Sequence, residues 1–112
     1  MKKDIIYYPD FEKIDLRVGE IKEVSPVEKS KKLLALQVDL GQDYGTVQIL
    51  SGIAQSYQPE ELINKKCIFI VNLAPREMMG MTSNGMLLAV DSDGKPEIVS
   101  ISPDVLTGSV IR

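Results

Sequence analysis

Leu34, Leu36, Val38 and Leu40 are separated by Ala35, Gln37 and Asp39, an alternation that only an extended strand can sort onto two faces. On a helix the same four aliphatic positions would scatter around the axis. The Gly41–Gly45 stretch behind them is turn material, so Thr46–Leu50 is expected to return as an antiparallel partner. A lone hairpin is marginal in water, so the leucine face must be covered by further strands. Leu16–Val24 supplies one, with Gly19 inside it as the expected site of a bulge or bend. Cys67–Leu73, the strongest apolar run, supplies another. Met86–Val90 is a fifth, followed by a turn at Asp91–Gly94 and a partner strand at Glu97–Ile101.

Between the third and fourth strands the sequence PEELIN favours a short helix, with Pro59 in the first turn and two glutamates behind it. Asp10 is the expected cap of another helical turn running to Lys13. Three strands, a short helix and two or more strands is the order of an all-β, five-stranded OB-fold barrel. An SH3-like barrel or another small sandwich has a similar pattern. The 112 residues suffice for one core, read as a single domain over 1–112. Residues 1–10 are read as a terminal arm and 102–112 as a C-terminal extension. Ile5, Ile6, Tyr7 and Tyr8 make the arm too apolar to stand in water, so it is expected to pack on its own domain or on a second copy.

The residues exclude much chemistry. Without a single histidine, triads and zinc-hydrolase sites built on imidazole are ruled out. No carboxylate pair sits in an apolar frame, so the chain is read as non-catalytic. Cys67 is the only cysteine, which rules out an internal disulfide and suits a reducing cytoplasm; in its apolar strand it is expected to be buried and inert. No cofactor fingerprint is present, and Asp91, Asp93 and Gly94 fit a hairpin turn better than a calcium loop. No apolar run approaches a membrane span, and the N-terminus lacks the pattern of a signal peptide.

A net charge of −3 argues against a broadly basic nucleic-acid surface, which leaves the placement of the cations to decide. In the OB order, oligonucleotides are bound by the loops between strands 1 and 2 and between strands 4 and 5. The first loop is Ser25–Lys32, with Lys29, Lys31 and Lys32; the plainer reading is a solvated loop tip. The second holds Arg76 with Met78, Met79 and Met81, so that the stretch Asn72–Val90, with Met86, carries four of the five methionines. Met-rich, glycine-broken connectors suit adaptable contact surfaces, and equally suit gap filling by Met78, Met79 and Met81.

These residues resemble a known family. FEKIDLRVGEI, SKKLLALQVDLG, Ser51-Gly52, YQPEELINKK and NLAPREMMGMTSNGMLLAV are similar to the tRNA-binding domain of methionyl-tRNA synthetase C-terminal domains and β-subunits. Free-standing structure-specific tRNA-binding proteins and a bacterial secretion chaperone share the fold. The resemblance implies a homodimer, assembled with the help of terminal segments, that binds the outer corner of folded tRNA, alone or beside a synthetase catalytic chain. It places tRNA contact on Lys32, with Lys31 beside it, and on Arg76, Ser83 and Met86, with Asn72 shaping the loop. Lys32 and Arg76 suit phosphates, the Ser83 hydroxyl a phosphate or 2′-OH, and Met86 an apolar rim. Packing and strand-entry capping are the alternative roles of Met86 and Ser83. Glu77 and Met79 stand where family members commonly carry basic residues. A peptide-binding chaperone and a purely dimerising synthetase domain are the alternative functions.

Overall fold

The computed structural model describes residues 1–112. Its elements are α1 (Tyr8–Glu12), β1 (Leu16–Pro26), β2 (Leu34–Asp39), β3 (Thr46–Ser51), α2 (Pro59–Leu62) and β4 (Lys66–Ile70). They are followed by β5 (Arg76–Met78), β6 (Met81–Ser83), β7 (Met86–Leu87), β8 (Ala89–Ser92), β9 (Lys95–Ile98) and β10 (Val110–Ile111). The main sheet runs β3-β2-β1-β4-β7, every neighbouring pair antiparallel, with β10 also pairing β1. Five strands in this order, with α2 between the third and fourth, is the arrangement expected from the sequence.

The alternation in β2 fills the barrel: Leu36, Val38 and Leu40 are fully buried in one cluster with Ile21, Ile49, Leu62, Cys67 and Phe69. Each large side chain taken out of water there stabilises the fold by roughly 1.5–3 kcal/mol. α2 contributes Leu62 to this core.

Several expectations are corrected. Gly19 is not a bulge. Its pairing with Cys67 on β4 is regular, and the register shift of β1 lies between Ile21 and Glu23. Gly19 is needed because a Cβ there would lie 2.7–2.8 Å from Phe69, Val38 and Leu40. Asp10 is not a cap either: the helix begins one turn earlier, and its carboxylate accepts the Tyr7 N–H from inside the first turn.

The fourth strand ends at Ile70: the Val71 N–H still donates in register to the Asp15 carbonyl, but the Asp15 N–H goes to the Asn72 side chain instead of returning to the Val71 carbonyl. The fifth strand is split. β7 pairs β4, but farther along β4 the backbone of Lys66 accepts the Ile101 N–H, so the C-terminal return occupies that edge. The chain therefore leaves the barrel as β8 and pairs instead with β9, which ends at Ile98 rather than Ile101.

The terminal arm stays outside: Ile5 is 93% exposed and Tyr7 79%. Of the two packings expected for it, the one on its own barrel does not occur within the chain. No helix is long and apolar enough to cross a membrane.

Candidate nucleic-acid interface

The stretch between β4 and β7 carries three of the six predicted residues, Asn72, Arg76 and Ser83, with Met86 opening β7, and it is ordered rather than an irregular connector. β5 and β6 form a hairpin in which Met78 pairs Met81 across Met79-Gly80. Both turn residues have positive φ, 51° and 78°, the backbone of a type I′ turn, whose twist matches that of the strands. A glycine two residues after Met78 was the signal available in the sequence.

The hairpin closes the barrel seam that β3 and β7 leave unladdered. The buried Ser83 hydroxyl accepts the Leu50 N–H at 3.0 Å and donates to the Gly85 carbonyl at 3.1 Å. The Asn84 N–H donates to the Gln48 carbonyl at 2.8 Å, and the Gln48 amide donates to the Thr82 carbonyl at 3.0 Å. Ser83 thus holds hairpin to barrel, and its hydroxyl has no bond left to donate outward.

Alternation along the hairpin separates the side chains. Arg76, Met78, Met81 and Ser83 share one face, and Glu77 and Thr82 share the other, where their side chains are bonded at 2.6 Å. The acidic residue that replaces a basic one in the family pattern is therefore turned away from Arg76's face and paired. The methionines also divide. Met78 and Met81 pack on a satellite cluster of Val27, Ala35 and Leu50, whereas Met79 and Met86 are about half exposed.

Arg76, Met86 and Ser83 line one hollow of about 320 Å³, walled by apolar side chains that include Leu33, Leu50 and Leu73. Arg76 is exposed and makes no ion pair; the cations in ion pairs are Lys13, Arg17 and Lys22. Lys32 lines a second, polar hollow of about 790 Å³ with Gln55, Ser56, Tyr57 and Lys95. Lys31 is exposed beside Lys32 but lines neither hollow.

Asn72 is set apart from this face. Its side-chain oxygen accepts the Asp15 N–H at 2.9 Å and its amide donates to the Lys13 carbonyl at 2.7 Å, pinning the entry of β1 to the end of β4. Its bonds reach the start of β1 and none reaches the Met-rich loop it was expected to shape.

The sequence reading missed a second polar cluster at the other side of β1. Arg17 donates to both Asp15 oxygens, to Asp43 at 2.9 Å and to the Gly108 carbonyl at 3.3 Å, and lies over the Tyr44 ring. Tyr44 donates its hydroxyl to Asp15. Burial alone would raise the Asp15 pKa, but the bonds from Arg17 and Tyr44 and the Arg17 charge bring it below the ordinary value. The bond to Asp15, then burial, push the Tyr44 phenol up. Only the spacing Asp-x-Arg hinted at this cluster; its other partners come from 26 residues or more away. Cys67 is fully buried and desolvation pushes its thiol up to about 11, which makes it a poor nucleophile, as expected.

Residues 16–110 match the family described as "Putative tRNA binding domain". The chain belongs to this tRNA-binding domain family. It is 48% identical over 112 residues to the methionine--tRNA ligase of Clostridium acetobutylicum, covering 98% of this chain and 17% of that enzyme. The chain thus spans less than a fifth of that relative. A MetRS related protein from Pyrococcus horikoshii has the same fold, with a TM-score of 0.92 and 34% identity over 98% of this chain and all of that one. The CsaA chaperone protein of Picrophilus torridus superposes with a TM-score of 0.89 and 32% identity over 96% of this chain and all of that one. Domains of this family thus occur both within synthetases and as chains of this size.

Proposed function

We propose that the chain is a non-catalytic, structure-specific tRNA-binding module of the cytoplasm that works as a homodimer, by itself or with a methionyl-tRNA synthetase catalytic chain. The observation that carries this reading is the placement of Arg76. It is a cation without an acidic partner, set at the edge of an apolar hollow on an otherwise acidic protein. Arg76 binds a backbone phosphate, Lys32 and Lys31 bind neighbouring phosphates, and Met86 lies against the apolar face of a ribose or base. Ser83 and Asn72 act by holding these groups in place. Rigid placement of a few cations reads the shape of a folded RNA rather than its sequence. The exposed apolar arm, residues 5–8, covers a second copy, which doubles the contacts available to one tRNA.

The test is a titration of the chain with total folded tRNA over a salt series, with single-stranded RNA as control. Folded tRNA binds more tightly, and affinity falls as salt rises. Arg76→Ala weakens binding about tenfold, the order expected of one strong phosphate contact. Absence of binding at low salt would overturn the reading. Removal of residues 1–10 converts dimer to monomer in light scattering; an unchanged mass would remove the arm from the interface.

A second reading is favoured by the likeness to the CsaA chaperone protein. The same apolar hollow would then hold extended peptide segments. Arg76→Ala separates the two, since peptide capture by an apolar wall survives loss of the cation.

A further inference from the structure

Gly52 is exposed, its φ lies outside the left-handed region, and a Cβ built on it meets nothing within 4 Å. Neither backbone conformation nor packing inside the chain accounts for a glycine there. Other glycines of the fold differ: Gly19 and Gly85 have no room for a side chain, and Gly41, Gly45, Gly80, Gly94 and Gly108 have φ between 69° and 90°. A glycine with no internal reason is a place where something from outside comes close to the backbone.

What surrounds Gly52 says what that is. It is shared by the hollow of Arg76 and Met86, by that of Lys32 and Lys95, and by a shallow one under the β8–β9 turn. The three therefore form one strip, with Gly52 as the floor where they meet. Arg76 stands at one end, Lys32 alongside, and Lys95 at the far end on the β8–β9 hairpin. None of the three cations is in an ion pair. Two acidic groups also border the strip: Glu97 in the polar hollow and Asp91 under the turn, the latter accepting the Gly94 N–H at 2.8 Å.

Lys95 is not on a loose flap. The Tyr57 hydroxyl accepts the Ile98 N–H at 3.1 Å, tying β9 to the segment that carries Gln55 and Ser56, and Ile98 packs on the barrel core. A row of cations along a floor that is apolar near Arg76, bare of a side chain at Gly52 and polar between Lys32 and Lys95 matches a sugar–phosphate backbone, which carries one charge per nucleotide with ribose and hydroxyls between.

We infer that an RNA backbone segment crosses the surface at Gly52, running from Arg76 past Lys32 to Lys95, and that Lys95 is a phosphate contact. This rests on the tRNA reading above and extends it by a residue and a path.

The experiment is anisotropy with labelled folded tRNA over a salt series, on the full chain. Wild type is compared with Gly52→Ala, Gly52→Leu, Lys95→Ala, Arg76→Ala and, as a control off the strip, Lys65→Ala. Gly52→Leu is expected to keep the wild-type melting temperature and lose at least tenfold in affinity, with Gly52→Ala between it and wild type. Lys95→Ala is expected to lose several-fold and to lower the slope of log K against log salt by about 1, while Lys65→Ala changes neither. Wild-type affinity in either Gly52→Leu or Lys95→Ala, with Arg76→Ala impaired, overturns the path and leaves the tRNA reading standing. Should Gly52→Leu fail to fold, Lys95→Ala decides by its affinity and salt slope. Absence of tRNA binding by wild type overturns the tRNA reading, and the path with it.

Discussion

The molecule has two arginines outside its C-terminal residue, and they are used in opposite ways. Arg17 has three protein residues around its guanidinium as acceptors, Asp15, Asp43 and Gly108, and the Tyr44 ring beneath it. Its side chain is 14% exposed. Arg76 has no acidic partner and faces a hollow. A guanidinium whose donors are filled inside the protein fixes loops to strands. One whose donors are left open must find its acceptors in water or in a ligand. Lysines follow the same division. Lys66 donates to the Pro103 and Val105 carbonyls and anchors the C-terminal segment, while Lys32 and Lys95 remain unpaired on the strip. Counting cations therefore says little about a binding surface until the internally satisfied ones are set aside.

The sharpest way to break this contrast is Arg17→Ala. It leaves the Gly108 carbonyl without its side-chain donor and the Asp15 carboxylate with only the Tyr44 hydroxyl, and the expected loss is about 2–3 kcal/mol, read as a shift in the denaturant midpoint. The exposed Asp43 adds little to that figure. The RNA affinity of the protein that remains folded should be unchanged; a fall in affinity with intact stability would reverse the assignment of the two arginines. Arg76→Ala is the mirror image, with binding reduced about tenfold and the midpoint within about 0.5 kcal/mol of wild type.

Ser83→Ala lies between the two regions in kind. It removes the acceptor of the buried Leu50 N–H, and a loss of about 1–2 kcal/mol is expected, with weaker RNA binding following from a loosened hairpin. Wild-type stability in this variant would mean that the seam is held by the Gln48 bonds alone.

Smaller effects come from titration. The Asp15 carboxyl is depressed, so its stabilisation is present above the unfolded value of about 3.9 and is lost as pH falls through the lower folded value. The Tyr44 phenol is raised, so its contribution is present below about 10 and is lost as pH rises through the higher folded value. Urea midpoints against pH should show a plateau between these limits. Tyr44→Phe should remove the alkaline fall, and an unaltered fall in that variant would reassign it.

Smallest of all is the hairpin tip. Met79 holds a positive φ that suits asparagine better, so Met79→Asn should raise stability by about 0.5–1 kcal/mol. A loss instead would show that the Met79 side chain packs in solution.

Much of the barrel was legible in the chain because strand alternation is a local property. Leu34 to Leu40, the turn after them and the Pro59 helix each carry their signal within a few neighbours. The block Asn72–Met86, similar as written to a family pattern, marked the candidate binding region in the same way. Where strands stop was not legible. Ile70 is the last residue of β4 because the Asp15 N–H across the sheet goes to the Asn72 side chain rather than to the Val71 carbonyl, and β8 leaves the barrel because Ile101 occupies the backbone of Lys66. Each of these bonds joins residues 35 or more apart along the chain, beyond the reach of any local pattern.

The candidate site divides along the same line. Sequence by itself determined which residue types stand near the barrel's loops: Lys31, Lys32, Arg76, Met86 and a seryl-glycine at 51–52. Tertiary structure decided which of them are free. It committed Ser83 and Asn72 to internal bonds, turned Glu77 to the far face of its hairpin, filled Arg17 with acceptors and brought Lys95 to the same hollow as Lys32. Composition sets how many charges a chain has, but only the fold brings distant donors and acceptors within 3 Å of one another, and that pairing leaves the remainder for a ligand.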